Sequence, residues 1–282
     1  MPVPAFHSTV ETLLQLDLVP FGEVILVDDS DDESLREWGA DRPITYLRGP
    51  AENLPAARNV ALDRCETAII SFVDDDVLLP ADFSQRVADA FGDRPDVVGT
   101  GGPVLSPAVE DARNLCYRET MSVSTLTGTV HDASYRWVPE RPRRVDLLKG
   151  ANMSFRRAEL EAIGGFDPSY GGPSQREETD VCVRLWSAGD LLYHPELSCF
   201  HKQLGSERFA PESVYWRFGN HGYFVAKNFG RVTFVLGLLS IVVRMCGNPD
   251  SLLQLLYRRL FLDQDVRIRA CLASYVRTAA IE

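Results

Sequence analysis

The chain has 282 residues, is 45% hydrophobic and carries a net charge of −11. That is enough apolar material for one large core or two modest ones. The acidity excludes a general nucleic-acid binder, which needs a basic face; Lys149, Lys202 and Lys227 are the only lysines, so Arg supplies nearly all the positive charge. Six cysteines (65, 116, 182, 199, 246 and 271) are scattered without a C-x-x-C pair, and no secretory signal pattern precedes them. Reduced thiols in a cytoplasmic compartment are therefore expected.

In chain order, residues 23–27 form a short β-branched run that ends in Asp28-Asp29-Ser30. A helix is predicted over 31–38, a strand over 44–47, and a helix from about Pro55 with Asn53 as its cap. The apolar run 68–73 is the next strand, and it ends in Asp74-Asp75-Asp76. A helix over 81–91 and a strand over 96–100 follow, closed by Gly101-Gly102-Pro103. Short buried strands alternating with helices imply a mainly parallel sheet with its functional loops at the carboxyl edge. Residues 106–146 mix Pro, Ser, Thr and Arg, with a helix expected over 110–121 and an exposed loop at 141–144. Regularity returns with an extended segment over 151–155 and a helix over 158–163 stopped by Gly164-Gly165. A further helix is expected over 177–188, stopped by Gly189. Beyond residue 210 the chain changes character: 213–228 is aromatic-rich, 232–243 apolar, and 252–262 leucine-rich with Arg258 and Arg259. The 12-residue apolar run 232–243 is too short to span a bilayer, which takes about 20 residues.

The acidic triplet is the first sign of chemistry. Adjacent carboxylates repel one another unless a divalent ion or hydrogen-bond donors stabilise them. Hard oxygen ligands suit Mg²⁺ or Mn²⁺, with phosphate oxygens completing the shell, so the strand end is expected to bind a metal together with a phosphorylated ligand. Read alone, the same acids equally suit a solvated turn ahead of a helix with Pro80 in its first turn.

Four separated segments share one resemblance. Val27-Asp28-Asp29-Ser30, the Pro55 to Leu62 stretch containing Ala57-Arg58-Asn59, the Asp74–Asp76 triplet, and Gly165-Phe166-Asp167 followed by Glu177-Glu178-Thr179-Asp180 together resemble the family 2 glycosyltransferases. The resemblance covers about residues 4 to 228. It implies an α/β fold of the GT-A type, a Rossmann-like mixed sheet flanked by helices, with a C-terminal helical tail. It also implies a nucleotide-sugar donor and inversion at the anomeric carbon in a single displacement. Residues 1–210 would form the GT-A domain, with a shortened first strand at residues 4–7, and 211–282 a helical extension associated with a membrane surface.

The roles implied by the resemblance can be placed residue by residue. Asp74 and Asp76 match the metal-binding D-x-D, with Asp74 and Asp75 also touching the donor, and His201 falls where a ligand to the metal or diphosphate is expected. Asp29 would accept a hydrogen bond from the nucleotide base. Arg58 would bring its planar fork to the nucleotide. Asn152, in the segment from Lys149 to Ser154, would line the donor-sugar and acceptor pocket. Glu178 would be the general base, here in a Glu177-Glu178 pair rather than the commoner Glu-Asp, and Asp180 would orient the acceptor or the helix. The expected partners are a nucleotide-sugar donor, a glycan or lipid-linked acceptor in surface polysaccharide, glycolipid or lipid-linked glycan synthesis, and a peripheral membrane contact through Tyr215, Trp216, Arg217, Phe218, Tyr223, Phe224 and Lys227. The cytoplasmic face of the membrane is the expected location. Two rival readings are a nucleotide-sugar-binding protein impaired in catalysis and a nucleotidyltransferase; the latter normally carries a Gly-rich loop with a basic residue near the N-terminus, which this sequence lacks.

Overall fold

The computed structural model describes residues 23–30, 34–41, 43–50, 53–105, 119–132, 137–201 and 211–246, the last with side chains over 215–237. The expected strand at 4–7 and helix at 252–262 lie outside the described residues, as does 110–118 of the expected helix at 110–121; residues 119 and 120 are not helical. Packing divides the chain into two compact units, one within Met1–Ser122, His131–Tyr170 and Glu177–Gly205, the other within Val123–Val130, Gly171–Arg176 and Ser206–Glu282.

The first unit is a mixed α/β assembly. β1 (Ile25–Asp28) pairs in parallel with β2 (Thr45–Arg48) around the short helix α1 (Ser34–Gly39). Helix α2 (Leu54–Arg64) follows; the Asn53 side chain accepts from Ala56 N at 2.9 Å, satisfying one of its free N–H groups. A five-stranded sheet runs in the order β3 (Ile69–Val73), β10 (Asn152–Arg156), β5 (Val97–Gly101), β11 (Asp190–Tyr193), β9 (Arg143–Val145). Only β11 with β5 is a parallel pair within it; β10 runs antiparallel to both β3 and β5, and β9 to β11. The expectation of a mainly parallel sheet is thus corrected to a mixed one. β10 lies between β3 and β5, with Met153 facing Phe72 on one side and Gly101 on the other, and runs against both, which a set of parallel βαβ units alone would not give; it follows β6 (Val104–Leu105) in chain order.

A small sheet, β4 (Val77–Leu78), β12 (Cys199–His201), β6, sits beyond the strand ends, with β12 antiparallel to β4 and parallel to β6. Helix α3 (Phe83–Phe91) carries Phe83, Val87, Ala90 and Phe91 at helical spacing, and these pack with Val77, Val97, Leu192 and Leu197 in the core. Burying each of the two phenylalanines contributes about 1.5–3 kcal/mol. The chain then enters α4 (Arg157–Ala162), whose last turn is closed by Gly164 and Gly165 at φ 79° and 69°, a conformation that favours glycine. Asn59 of α2 grips the next residue with both ends of its amide, donating to Phe166 O and accepting from Phe166 N, each at 2.8 Å. Helix α5 (Glu177–Leu185) ends three residues before the expected Ala188. Cys65, Cys182 and Cys199 are free and buried.

In the second unit, α6 (Pro211–Cys246) is two helices merged across Gly230, whose backbone leaves the helical region. Trp216 lies flat against Gly171 and Gly172, where no side chain would fit, and Asn220 donates to Gly171 O at 3.0 Å. Phe224 is fully buried. Within the aromatic segment expected to meet a membrane, Phe224 is thus committed to packing while Phe218 is 53% exposed. The strands β7 (Ser122–Val123) and β8 (Val130–His131) form a hairpin whose tip bonds α6, Thr233 Oγ1 donating to Thr125 O at 3.1 Å. No helix among the described residues is long and apolar enough to cross a membrane.

Replacing Asn59 with Ala strips two backbone groups of Phe166 of their partners. It is expected to lower stability by about 1–3 kcal/mol, read as a shifted urea midpoint with an unchanged slope.

Candidate active site

The acidic strand ends meet their expected neighbours because of strand register. β10 begins opposite the last residue of β3, Asn152 facing Val73, so the 149–152 turn lies beside the Asp74–Asp76 loop. β12 ends opposite β4, His201 facing Val77, which sets the imidazole next to Asp76. His201 Nε2 lies 3.6 Å from Asp74 Oδ2 and 3.4 Å from Asp76 Oδ1, and one ligand atom from each of the three falls within 4.8 Å of the others. His201 is buried, and its Nδ1 has no hydrogen-bond partner among the described residues. Two carboxylates and an imidazole on rigid strand ends fit a divalent cation such as Mg²⁺ or Mn²⁺. Asp75, between them, is exposed as a residue, but its carboxyl is partly desolvated by its surroundings, and this, with repulsion from Asp76 and Asp74, pushes it up to about 6.

The guanidinium of Arg58, expected at the nucleotide, is buried. It forms an ion pair with Glu177, reaches to 3.6 Å from Asp74 Oδ1, and donates to Gly150 O at 3.2 Å. Phe72 and Phe166 flank it, with centroids 6.0 and 5.4 Å away. Burial works against the charge, but the Glu177 and Asp74 carboxylates more than compensate and raise the guanidinium's hold on its proton. Arg58 thereby ties α2, the acidic loop, the 149–152 turn and the first residue of α5 together. Glu177 was invisible as its partner in the sequence, since 119 residues separate the two.

The remaining acids divide by exposure. Glu178 is half-buried, next to the sequestered Glu177, with Thr179 Oγ1 at 3.2 Å from its Oε1. Asp180 is fully buried and receives Arg184 Nε at 2.8 Å; the same guanidinium donates to Ile163 O and Gly165 O. Asn152 is also fully buried, donating to Leu197 O, with its Oδ1 lacking a partner among the described residues. Asp180 and Asn152 therefore stand behind the open part of the site. Lys149, which sequence reasoning passed over as a single residue, is buried with Asp132 at 3.6 Å from its Nζ.

At the other acidic strand end, Asp28 is buried and Asp29 exposed. Asp28 accepts from Ser30 N and Oγ, Tyr46 OH and Arg48 Nη1 at 2.7–3.1 Å. Burial opposes its ionisation, but these hydrogen bonds and the Arg48 charge outweigh it and hold the carboxyl below its ordinary value of 3.8. Asp29 is thus left as the carboxylate facing solvent, on a turn stiffened by its neighbour.

Two outcomes follow from this electrostatic arrangement. Arg58→Met and Glu177→Met should each cost about 3–5 kcal/mol, because each leaves a buried charge alone, while the double variant should cost clearly less than either, measured by chemical denaturation. Because Asp28's folded value is depressed, its contribution to stability is present above pH 3.8 and lost as pH falls through the lower folded value. Asp28→Asn should therefore flatten the acid side of the stability profile in that window.

Comparison with known proteins agrees with this geometry. Residues 4–134 match the model for glycosyl transferase family 2, a segment that includes the Asp28–Asp29, Arg58 and Asp74–Asp76 motifs and stops before residues 165–201. The glucosyl-dolichyl phosphate glucuronosyltransferase of Haloferax volcanii is 24% identical over 208 residues, 70% of this chain and 64% of the relative. The pre-mycofactocin glycosyltransferase of Mycobacterium tuberculosis is 30% identical over 178 residues, 61% of this chain and 36% of the relative. The chain thus spans less than two thirds of the length of either. Among solved structures, GalNAc-T7 with UDP, GalNAc and Mn²⁺ superposes with a TM-score of 0.60 at 14% identity, covering 80% of this chain and 46% of that one. The Pyrobaculum calidifontis mannosyltransferase PcManGT with GDP-Man and Mn²⁺ gives 0.54 at 16%, covering 99% and 82%. TarS of S. aureus gives 0.58 at 16%, covering 97% and 46%. At these identities the structural likeness establishes the fold, which is GT-A, and residues 4–134, a little under half of the chain, match the glycosyl transferase family 2 model.

Proposed function

We propose that the protein is an inverting glycosyltransferase that moves a sugar from a nucleotide-sugar donor to a hydroxyl of a glycan or lipid-linked acceptor, with Mg²⁺ or Mn²⁺. The observation that carries this reading is the grouping of Asp74, Asp76 and His201 within 4.8 Å, on strand ends locked by Arg58 to the helix that bears Glu178. The metal, when bound by these three, would neutralise the diphosphate charge that grows as the glycosyl bond breaks.

The chain's own residues supply the rest. Glu178, half-buried in the first turn of α5, is the group we assign as general base. It takes the proton of the acceptor hydroxyl as that oxygen bonds to the anomeric carbon and the nucleoside diphosphate departs from the opposite face. Glu177 cannot share this duty, since Arg58 occupies it. We assign Asp29 to the nucleotide base because it is exposed, and Asp75 to the donor for the same reason. Arg58, Asn152 and Asp180 are buried, so we assign them positioning roles. Arg58 holds Asp74, Asn152 supports the 149–152 turn, and Asp180 fixes α5 through Arg184. A lipid-linked acceptor is favoured by the Haloferax relative, named for a dolichyl phosphate glucoside, and this would set the enzyme at the cytoplasmic face of a membrane.

The test is Glu178→Gln, assayed for nucleotide release from UDP-, GDP- and dTDP-sugars and, separately, for donor binding with Mn²⁺ by calorimetry. Turnover should fall about 10²–10⁴-fold while donor affinity stays close to wild type. Retained turnover would remove Glu178 from the base position. No nucleotide-sugar binding by the wild type with either metal would overturn the whole reading.

A further inference from the structure

The second unit presents an apolar face that the aromatic segment 215–229 does not account for. Val232 and Val235, three residues apart on one face of the helix after Gly230, are 75% and 52% exposed. The tip of the β7–β8 hairpin sits on the same stretch of helix. Thr233, turned inward, bonds Thr125 O, and a side-chain carbon at Gly237 would meet Thr127 O at 2.7 Å. Leu126, between those two tip residues, is 66% exposed. Thr233 and Gly237 therefore mark the side of the helix that faces the hairpin, and Val232 and Val235, about 120° and 180° round the helix from it, face away from that contact.

Charge indicates what this surface meets. The chain has 29 basic and 40 acidic residues; α6 holds Arg217, Lys227, Arg231 and Arg244 against Glu212 alone, so the helix is +3 while the remainder is −14. Arg231 is exposed beside Val232, and in sequence the apolar run 232–243 is bounded by Arg231 and Arg244. At 1.5 Å per residue such a run extends about 18 Å, well short of a bilayer core of about 30 Å. A short apolar run framed by arginines suits a helix lying in the headgroup region, its apolar side chains among the acyl chains and its cations on anionic lipid.

We propose that the helix face bearing Val232 and Val235, rimmed by Arg231, forms a docking surface for an anionic lipid bilayer. This differs from a membrane contact through Trp216 and Phe224, which are committed to packing within the unit. Its use, bringing the enzyme to a lipid-linked acceptor, rests on the glycosyltransferase reading; the docking itself does not.

The experiment is co-sedimentation of the full chain with vesicles of equimolar phosphatidylglycerol and phosphatidylcholine, and with phosphatidylcholine alone. Wild type should sediment with the first and only weakly with the second. Val232→Asp with Val235→Asp should reduce partitioning about tenfold or more, and Arg231→Glu should weaken binding to the anionic vesicles. All are exposed positions, so circular dichroism should be unchanged. Calorimetric donor binding without vesicles is the parallel readout, so failure to dock and failure to bind a nucleotide sugar remain separate results. Unchanged sedimentation of the variants, or no wild-type binding to anionic vesicles, overturns the proposal. So does light scattering that shows a dimer split by the valine substitutions, which would assign the face to a second copy.

Discussion

The buried guanidinium of Arg58 is the interaction on which the site depends. It sits between two aromatic rings, bonds the carbonyl of Gly150, pairs with Glu177 and lies within 3.6 Å of Asp74. A charge in such a place is costly unless every element around it supplies a partner. The constraint therefore acts in four directions at once, fixing the helix that carries Arg58, the loop that carries the acids, the turn before β10 and the start of α5. Lysine could not substitute, because a single ammonium does not present a planar fork to a carboxylate and a carbonyl together.

The same logic explains why two acidic strand ends differ. At β1, Asp28 is enclosed by Ser30, Tyr46 and Arg48 and its charge is fully compensated within the protein. At β3, Asp74 and Asp76 are partly open and share an imidazole rather than a ring of donors. Two carboxylates held beside an imidazole on rigid strands suit a cation supplied from outside, whereas Asp28 shapes the turn that leaves Asp29 exposed.

Much of this was legible in the sequence where the signal was local. The strands ending at Asp28 and Val73, the Asn53 cap and the Gly164-Gly165 stop all appear where residue type demands them. His201 joins Asp74 and Asp76 as a resemblance to known enzymes implied. What sequence reading could not supply was long-range pairing. Arg58 sends its fork to Glu177 rather than outward, Asn59 clamps Phe166, and β10 inserts antiparallel between β3 and β5. None of these has a periodic or spacing signature, because each is decided by which buried polar group happens to face which. The aromatic stretch 215–224 was ambiguous for a related reason. Aromatics suit both an interface and a core, and only the close approach of Gly171 and Gly172 to Trp216 shows which was chosen there.

The central claim is that Asp74, Asp76 and His201 hold one divalent cation jointly with a nucleoside diphosphate. Electron paramagnetic resonance of Mn²⁺ tests it most directly, since the free ion's six-line signal broadens when it binds. The account predicts that the protein with UDP or GDP removes the free signal well beyond what the nucleotide alone does, and that Asp76→Asn or His201→Ala restores it. An undiminished free signal with either nucleotide, or unchanged binding in both variants, would contradict it.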